Sequence, residues 1–254
     1  MLKRRFPIAI FAFVLLLSSC SPLPAGEIPA SEFRALEIFY ETTGGENWTD
    51  QRGWLTDQPP CQWFGVLCED GHVTALALTW NNLDGELPAE LADLPKLKHL
   101  AFYFNPLHGT LPPELGKLTE LEILVLHNNQ LEGGIPPEFG GMVSLEKLDL
   151  ENNHFSGELP PELGNLTQLK ILNLRANNFS GPLPKELAQL TDLEGLLLNN
   201  NNFEGPVPEE FAALTKLKMF SVRGNPLIGG VPAALHDIFE TGLDLSFSTA
   251  TPEP

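Results

Sequence analysis

The side chains able to do chemistry are few, and their spacing argues against a reaction centre. Asp149 and Glu151 stand two residues apart in an alternating segment, so both face one side of an extended strand. Paired carboxylates act as acid and base when burial raises one of their pKa values, and an open strand face supplies little desolvation. His99 and His127 lack a third ligand or an orienting partner for metal binding or proton transfer. Cys61 and Cys68 have no further Cys or His nearby to complete a zinc set. Gly-x-Ser-x-Gly, a phosphate loop and His-Glu-x-x-His are absent from the sequence. No catalytic residue, metal or cofactor is expected, which leaves binding as the chemistry to explain.

The elements that must position these residues repeat with a period of 24. Repeats begin at Val73, Leu97, Leu121, Leu145, Leu169, Leu193 and Leu217, and so fixed a period marks a solenoid. In each, an alternating segment such as Leu145-x-x-Leu148-x-Leu150 reads as a strand with one buried face. An asparagine closes it: Asn81, Asn105, Asn129, Asn153, Asn177, Asn201 and Asn225. An amide both donates and accepts, so stacked copies can satisfy the backbone where the ladder stops. A glycine (Gly85 to Gly229) and a proline (Pro88 to Pro232) recur at the same period, one opening backbone conformations closed to other residues and the other fixing a bend. Apolar residues three apart, such as Leu163 and Leu166, then share one face of a short helical turn on the outer side.

Repeat four, LEKLDLENNHFSGELPPELGNLTQ, resembles the plant-type leucine-rich repeat, whose Gly-x-Ile/Leu/Val-Pro element adds a second short sheet. Before the repeats, Glu46-Asn47-Trp48, Trp54-Leu55 and Pro60-Cys61-Gln62-Trp63-Phe64-Gly65-Val66-Leu67-Cys68 resemble that family's N-terminal cap. The resemblance implies an α/β solenoid: a right-handed superhelix of seven 24-residue repeats, with a parallel concave β-sheet, short helical or 3-10 segments on the convex side and a helical N-terminal cap. It also implies a Cys61–Cys68 disulfide, cap packing for Trp48, Trp54 and Trp63, and a ligand on the concave sheet. Neither a kinase nor a C-terminal paired-cysteine cap follows in the sequence. Such a cap closes an open solenoid end that would otherwise expose leucines and a free strand edge.

Strand alternation places Trp80, His99, Tyr103, Phe104 and His127 on or beside the concave face in the first three repeats. Lys147, Asp149, Glu151, Asn173 and Arg175 follow in the middle, then Asn199, Asn200, Ser221 and Arg223. The aromatic cluster suggests either a contact site or packing of Trp80 and Phe104 on the cap and on each other. Glu151 and Arg175 are expected to pair across adjacent strands.

The N-terminus reads as a targeting segment, with Lys3, Arg4 and Arg5 ahead of an apolar run from Phe6 to Leu17. Its end, Leu-Leu-Ser-Ser-Cys at 16–20, resembles the lipobox of bacterial lipoproteins, which implies lipid on Cys20. The chain then divides into a signal peptide (1–19), lipidated cysteine and linker (20–29), cap (30–72), repeats (73–240) and a degenerate last strand with tail (241–254). In the cap, residues 30–42 read as an amphipathic helix with Ser31 as N-cap and Gly44-Gly45 as stop. The formal charge of −18 disfavours nucleic acid and anionic membrane surfaces. The expectation is an exported, non-enzymatic protein, lipid-anchored on the outer face of a bacterial membrane or in an outer membrane and touching it through that lipid only, or secreted if the segment is an ordinary secretory signal. Its expected partner is a protein, peptide or glycan held on the concave face, and the alternative is a self-associating structural envelope lipoprotein. Asn47-Trp-Thr, Asn165-Leu-Thr and Asn178-Phe-Ser match glycosylation sequons, idle if the source is bacterial.

Overall fold

The computed structural model describes residues 27–230 and 232. The signal peptide, Cys20, most of the linker and the last strand with its tail lie outside the described residues. The cap opens with helix α1 (Ala30–Thr42), which buries Ala35, Leu36 and Phe39. Ser31 does not cap it. The helix keeps the expected bounds, and its N-cap is Pro29, whose extended backbone (ψ 145°) lets its carbonyl accept from Phe33 N–H at 3.0 Å. Gly44, at φ 67°, ends the helix as expected. Glu32 is a surprise on the buried side. Its carboxylate lies 2.5 Å from His72 Nδ1 and accepts from Val73 N–H at 2.8 Å, which ties α1 to the first repeat.

Trp48, Trp54 and Trp63 fill the cap, with adjacent ring centroids 4.9 Å apart. Each indole N–H donates to a backbone carbonyl, at 2.9, 2.9 and 2.8 Å, so burial leaves no donor unpaired. Phe39 stacks on Phe102 at 4.8 Å and carries the cap core into the second repeat. Cys61 and Cys68 are bonded as a disulfide. The cap also supplies a strand that the sequence reading did not expect. Strand β1 (Val66–Glu69) runs antiparallel to β2 (His72–Ala77), the strand of the first repeat.

Each later repeat contributes one strand to each of two sheets. These are β3 (His99–Ala101) and β4 (His108–Thr110), β5 (Ile123–Val125) and β6 (Gln130–Gly133), then β7 (Lys147–Asp149) and β8 (His154–Gly157). They continue as β9 (Ile171–Asn173) and β10 (Asn178–Pro182), β11 (Gly195–Leu197) and β12 (Asn202–Pro206), and β13 (Met219–Ser221) and β14 (Leu227–Ile228). The concave sheet runs β1-β2-β3-β5-β7-β9-β11-β13, parallel after β2; the second sheet orders β14-β12-β10-β8-β6-β4. Between them pass single 3-10 turns such as Pro161–Asn165, each entered from a proline. Gly140 lies on one such turn because the next comes close: an added Cβ would stand 2.6 Å from the Glu162 carbonyl oxygen. The leucines of both sheets and turns form one buried core, extended by a stack of Phe155, Phe179 and Phe203 with centroids 5.9 and 6.1 Å apart.

The asparagines do what their chemistry allows. Asn153 Nδ2 donates to the carbonyls of Leu126, Leu150 and Glu151 at 3.0 to 3.2 Å, and its Oδ1 accepts from Leu131 N–H at 3.1 Å. The pattern recurs from Asn105 to Asn225. Asn81 begins it by exchanging two hydrogen bonds with the backbone of Asp50 in the cap. Asn153→Ala should strip partners from several buried backbone groups and lower the unfolding free energy by about 3 kcal/mol. Urea denaturation of the variant beside the parent measures this.

Candidate functional site

The register of the concave sheet sorts its surface into rows. Ala75, His99, Ile123, Lys147, Ile171, Gly195 and Met219 form one row; Ala77, Ala101, Val125, Asp149, Asn173, Leu197 and Ser221 form the next. Past the strand ends the backbone ladder continues, with Trp80 N–H donating to Tyr103 O at 3.2 Å and Phe104 N–H to His127 O at 3.1 Å. This adds a row through Tyr103, His127, Glu151, Arg175, Asn199 and Arg223, and another through Trp80, Phe104, Asn128, Asn152, Ala176, Asn200 and Gly224.

The aromatic cluster expected from the sequence is assembled. Trp80 and Phe104 stack at 4.2 Å and 17°, and Tyr103 and His127 stack at 4.5 Å and 18°. Phe104 meets His127 edge-on at 5.2 Å. Trp80 is 68% exposed, whereas the three cap tryptophans are at most 4% exposed, so Trp80 packs on Phe104 and stays open to solvent. The backbone here is unusual. Trp80 and Phe104 hold φ of 53° and 57°, in the left-handed region, in register with Asn128, Asn152, Ala176, Asn200 and Gly224. Asparagine and glycine tolerate that region; a bulky residue there costs on the order of 1 kcal/mol.

The middle of the face is occupied with itself. Lys147 Nζ lies 3.2 Å from Asp149, and Asn173 Nδ2 donates to Asp149 at 3.0 Å and to Glu151 at 2.8 Å. Arg175 pairs with Glu151 at 3.3 Å, as expected. Asp149 and Asn173 are 7% and 6% exposed, so these two, expected to face a ligand, are instead packed into the network. His99 stands in the first row, 3.7 Å from Glu122 and on a different row from His127. Among the described residues no group of His, Cys, Asp and Glu could hold a metal ion. Asn199 is half-buried, and Arg223 is exposed just past β13, the last strand of the concave sheet.

Two apolar features escaped the sequence reading. Ala77, Ala101 and Val125 form a floor beside the aromatic rows, and Ile171 and Met219 lean over Gly195 from either side, leaving Met219 44% exposed. Their signal was present in the alternation, but small and aliphatic residues there read equally well as core. Along the strand starts, Lys98–Glu69 (3.1 Å) joins the second repeat to the cap strand, and Lys170–Glu146 (2.7 Å) and Lys218–Glu194 (2.7 Å) join neighbouring repeats. The Lys218 hydrogen bond holds the Glu194 carboxyl below its usual range, and Glu69 raises Lys98. A glutamate recurs on the outer turns as Glu90, Glu114, Glu138, Glu162, Glu186 and Glu210, placing much of the acidic excess away from the concave face.

Left-handed aromatics that only packed would be expected to stabilise the fold. Trp80→Asn and Phe104→Asn each exchange a stacking contact of about 1 kcal/mol for relief of backbone strain of similar size. Thermal unfolding should therefore place each variant within about 1 kcal/mol of the parent.

Comparison with known proteins agrees with this architecture. A family model described as Leucine Rich repeats (2 copies) matches residues 143–189, and one described as Leucine Rich Repeat matches 96–118, 120–142 and 192–214. The chain is 38% identical over 96 residues to a probable inactive receptor kinase RLK902 of Arabidopsis thaliana, a stretch covering 37% of this chain and 14% of that protein. Among solved structures, the ectodomain of the plant membrane receptor kinase GASSHO1/SCHENGEN3 from Arabidopsis thaliana, in complex with Casparian strip integrity factor 2, superposes with a TM-score of 0.78 at 33% identity, covering 84% of this chain and 26% of that chain. The ectodomain of the Arabidopsis receptor kinase HAESA, in complex with an N-terminally extended IDA peptide hormone ligand, gives a TM-score of 0.64 at 29% identity over 85% of this chain and 41% of that chain. The chain thus spans well under half the length of each. With the repeat models, the 24-residue register and these folds in agreement, the chain is a leucine-rich-repeat protein with repeats of the plant type.

Proposed function

We propose that the chain is a non-catalytic binding module, working outside the cell, that takes a peptide or protein partner on the N-terminal third of its concave sheet. The observation that carries this reading is the pair Trp80 and Phe104, held in left-handed backbone where the equivalent positions carry Asn, Ala or Gly. Strain kept at an exposed position calls for a reason outside folding. Aromatic anchors supply much of the energy in protein interfaces. The comparisons favour the same class of partner, since the HAESA ectodomain was solved with a peptide hormone. The paired charges of the middle repeats act as a frame for the site, and Asn199 and Arg223 lie toward its far edge.

Export and anchoring are read from residues 1–20 alone. Lipid on Cys20 would hold the solenoid at the outer face of a bacterial membrane, several acyl chains anchoring far more firmly than one. The alternative, a self-associating structural envelope protein, needs no strained aromatic pair.

The test is capture of a partner from envelope and extracellular extracts by the parent and by the Trp80→Asn/Phe104→Asn double variant. The parent should retain a partner that the folded variant loses by at least a hundredfold in affinity, the scale of two interface anchors. Equal capture by both proteins would place the site elsewhere, and self-capture alone would favour the structural alternative.

A further inference from the structure

The stacked pair Tyr103 and His127 carries hydrogen-bonding chemistry that the fold does not use. Asn152 Nδ2 donates to Asn128 Oδ1 at 2.6 Å, which turns the Asn128 amide nitrogen toward His127, 2.6 Å from its Nδ1. With the Asn128 amide in this orientation, Nδ1 is the acceptor and the imidazole donor is Nε2–H. Neither Nε2 nor the Tyr103 hydroxyl has a partner among the described residues. Two free donors thus stand on near-parallel rings 4.5 Å apart, beside the Trp80–Phe104 stack.

The surroundings select what could accept from them. The floor beside the rings is Ala77, Ala101 and Val125, without charge, and the nearest charged residues of the next repeats are already paired with one another. A charged occupant would lose water and gain no counter-ion, so complementarity favours a neutral one. Strands lie about 4.8 Å apart, so the three-residue floor spans about 10 Å, the reach of about three extended residues. Each ring of the two pairs turns one face against its partner, which leaves a sugar ring mainly the outer face of Trp80 and no donor pair beneath it.

We propose that Tyr103 and His127 form a two-donor clamp that donates to a backbone carbonyl of an uncharged peptide segment, while an apolar side chain of that segment packs against Trp80, Phe104 and the alanine floor. Asn128 and Asn152 are positioning residues that hold the imidazole in the required tautomer. This inference rests on the peptide-binding reading and names the chemistry of the ligand.

Trp80 is the one exposed tryptophan of four, so its fluorescence reports occupancy of the site. The whole chain is titrated with acetyl-Ala-Phe-Ala amide, acetyl-Ala-Ser-Ala amide and cellotetraose. The phenylalanine peptide should bind at least tenfold tighter than either of the others. Tyr103→Phe, which removes only the hydroxyl, should weaken it five- to tenfold, as loss of one neutral hydrogen bond does. Asn128→Gly keeps the left-handed backbone, should weaken binding similarly and should move the His127 imidazole nitrogen-15 shifts toward a mixture of tautomers. Equal binding of the serine peptide, tighter binding of cellotetraose, no response to the phenylalanine peptide, or unchanged binding in both Tyr103→Phe and Asn128→Gly would each overturn the clamp. If the Trp80→Asn/Phe104→Asn variant loses its captured partner while Tyr103→Phe keeps it at parental affinity, the clamp fails and the peptide-binding reading stands. If the double variant also keeps it, that reading fails as well.

Discussion

A parallel strand of three residues makes few hydrogen bonds, and a chain that turns sharply at its end leaves buried amide groups with nothing to pair. The recurring asparagine meets that need. Each side chain donates to a carbonyl of its own repeat and to one in the repeat before it, and each accepts an N–H from the preceding turn. One neutral amide per repeat therefore sets the height at which every concave strand stops. It also joins each repeat to its neighbour through groups that would be costly to bury alone. The cap enters the same scheme, since Asp50 offers Asn81 the backbone contacts that a further repeat would provide.

With that spacing held, the concave surface becomes a lattice whose rows can vary without cost to the core. The rows divide the work. In the middle repeats, Lys147, Asp149, Asn173, Glu151 and Arg175 satisfy one another and leave little for a partner. In the first two repeats, aromatic rings stand where the backbone is left-handed and where polar or small residues serve elsewhere. The glutamates of the outer turns keep much of the net charge on the opposite side. Solubility and recognition are thus carried by different faces of one scaffold, and nothing in the fold requires a pocket.

The repeats were legible because each mark in them answers a local demand. Gly for positive φ, Pro for a fixed bend, Leu for a buried row and Asn for the ladder end are dictated by position within one repeat. The cap was legible in part. Its cysteines and tryptophans resembled a known pattern, but the buried Glu32 was not foreseen, because its partners His72 and Val73 lie 40 and 41 residues on. The antiparallel strand Val66–Glu69 was likewise hidden, since its sequence overlaps the cysteine motif and its pairing depends on the first repeat behind it.

What the sequence by itself determined is the solenoid, its register and the set of side chains lying on or near the concave face, since a strict period fixes all three by counting. What only the tertiary structure decided is which of those side chains remain available. Asp149 and Asn173 point the expected way and yet are consumed by neighbours 24 residues along, while Trp80 stays exposed at the end of a stack. Alternation along one strand gives the direction of a side chain. Its exposure and its hydrogen bonds depend on the adjacent strands, which a single repeat does not contain.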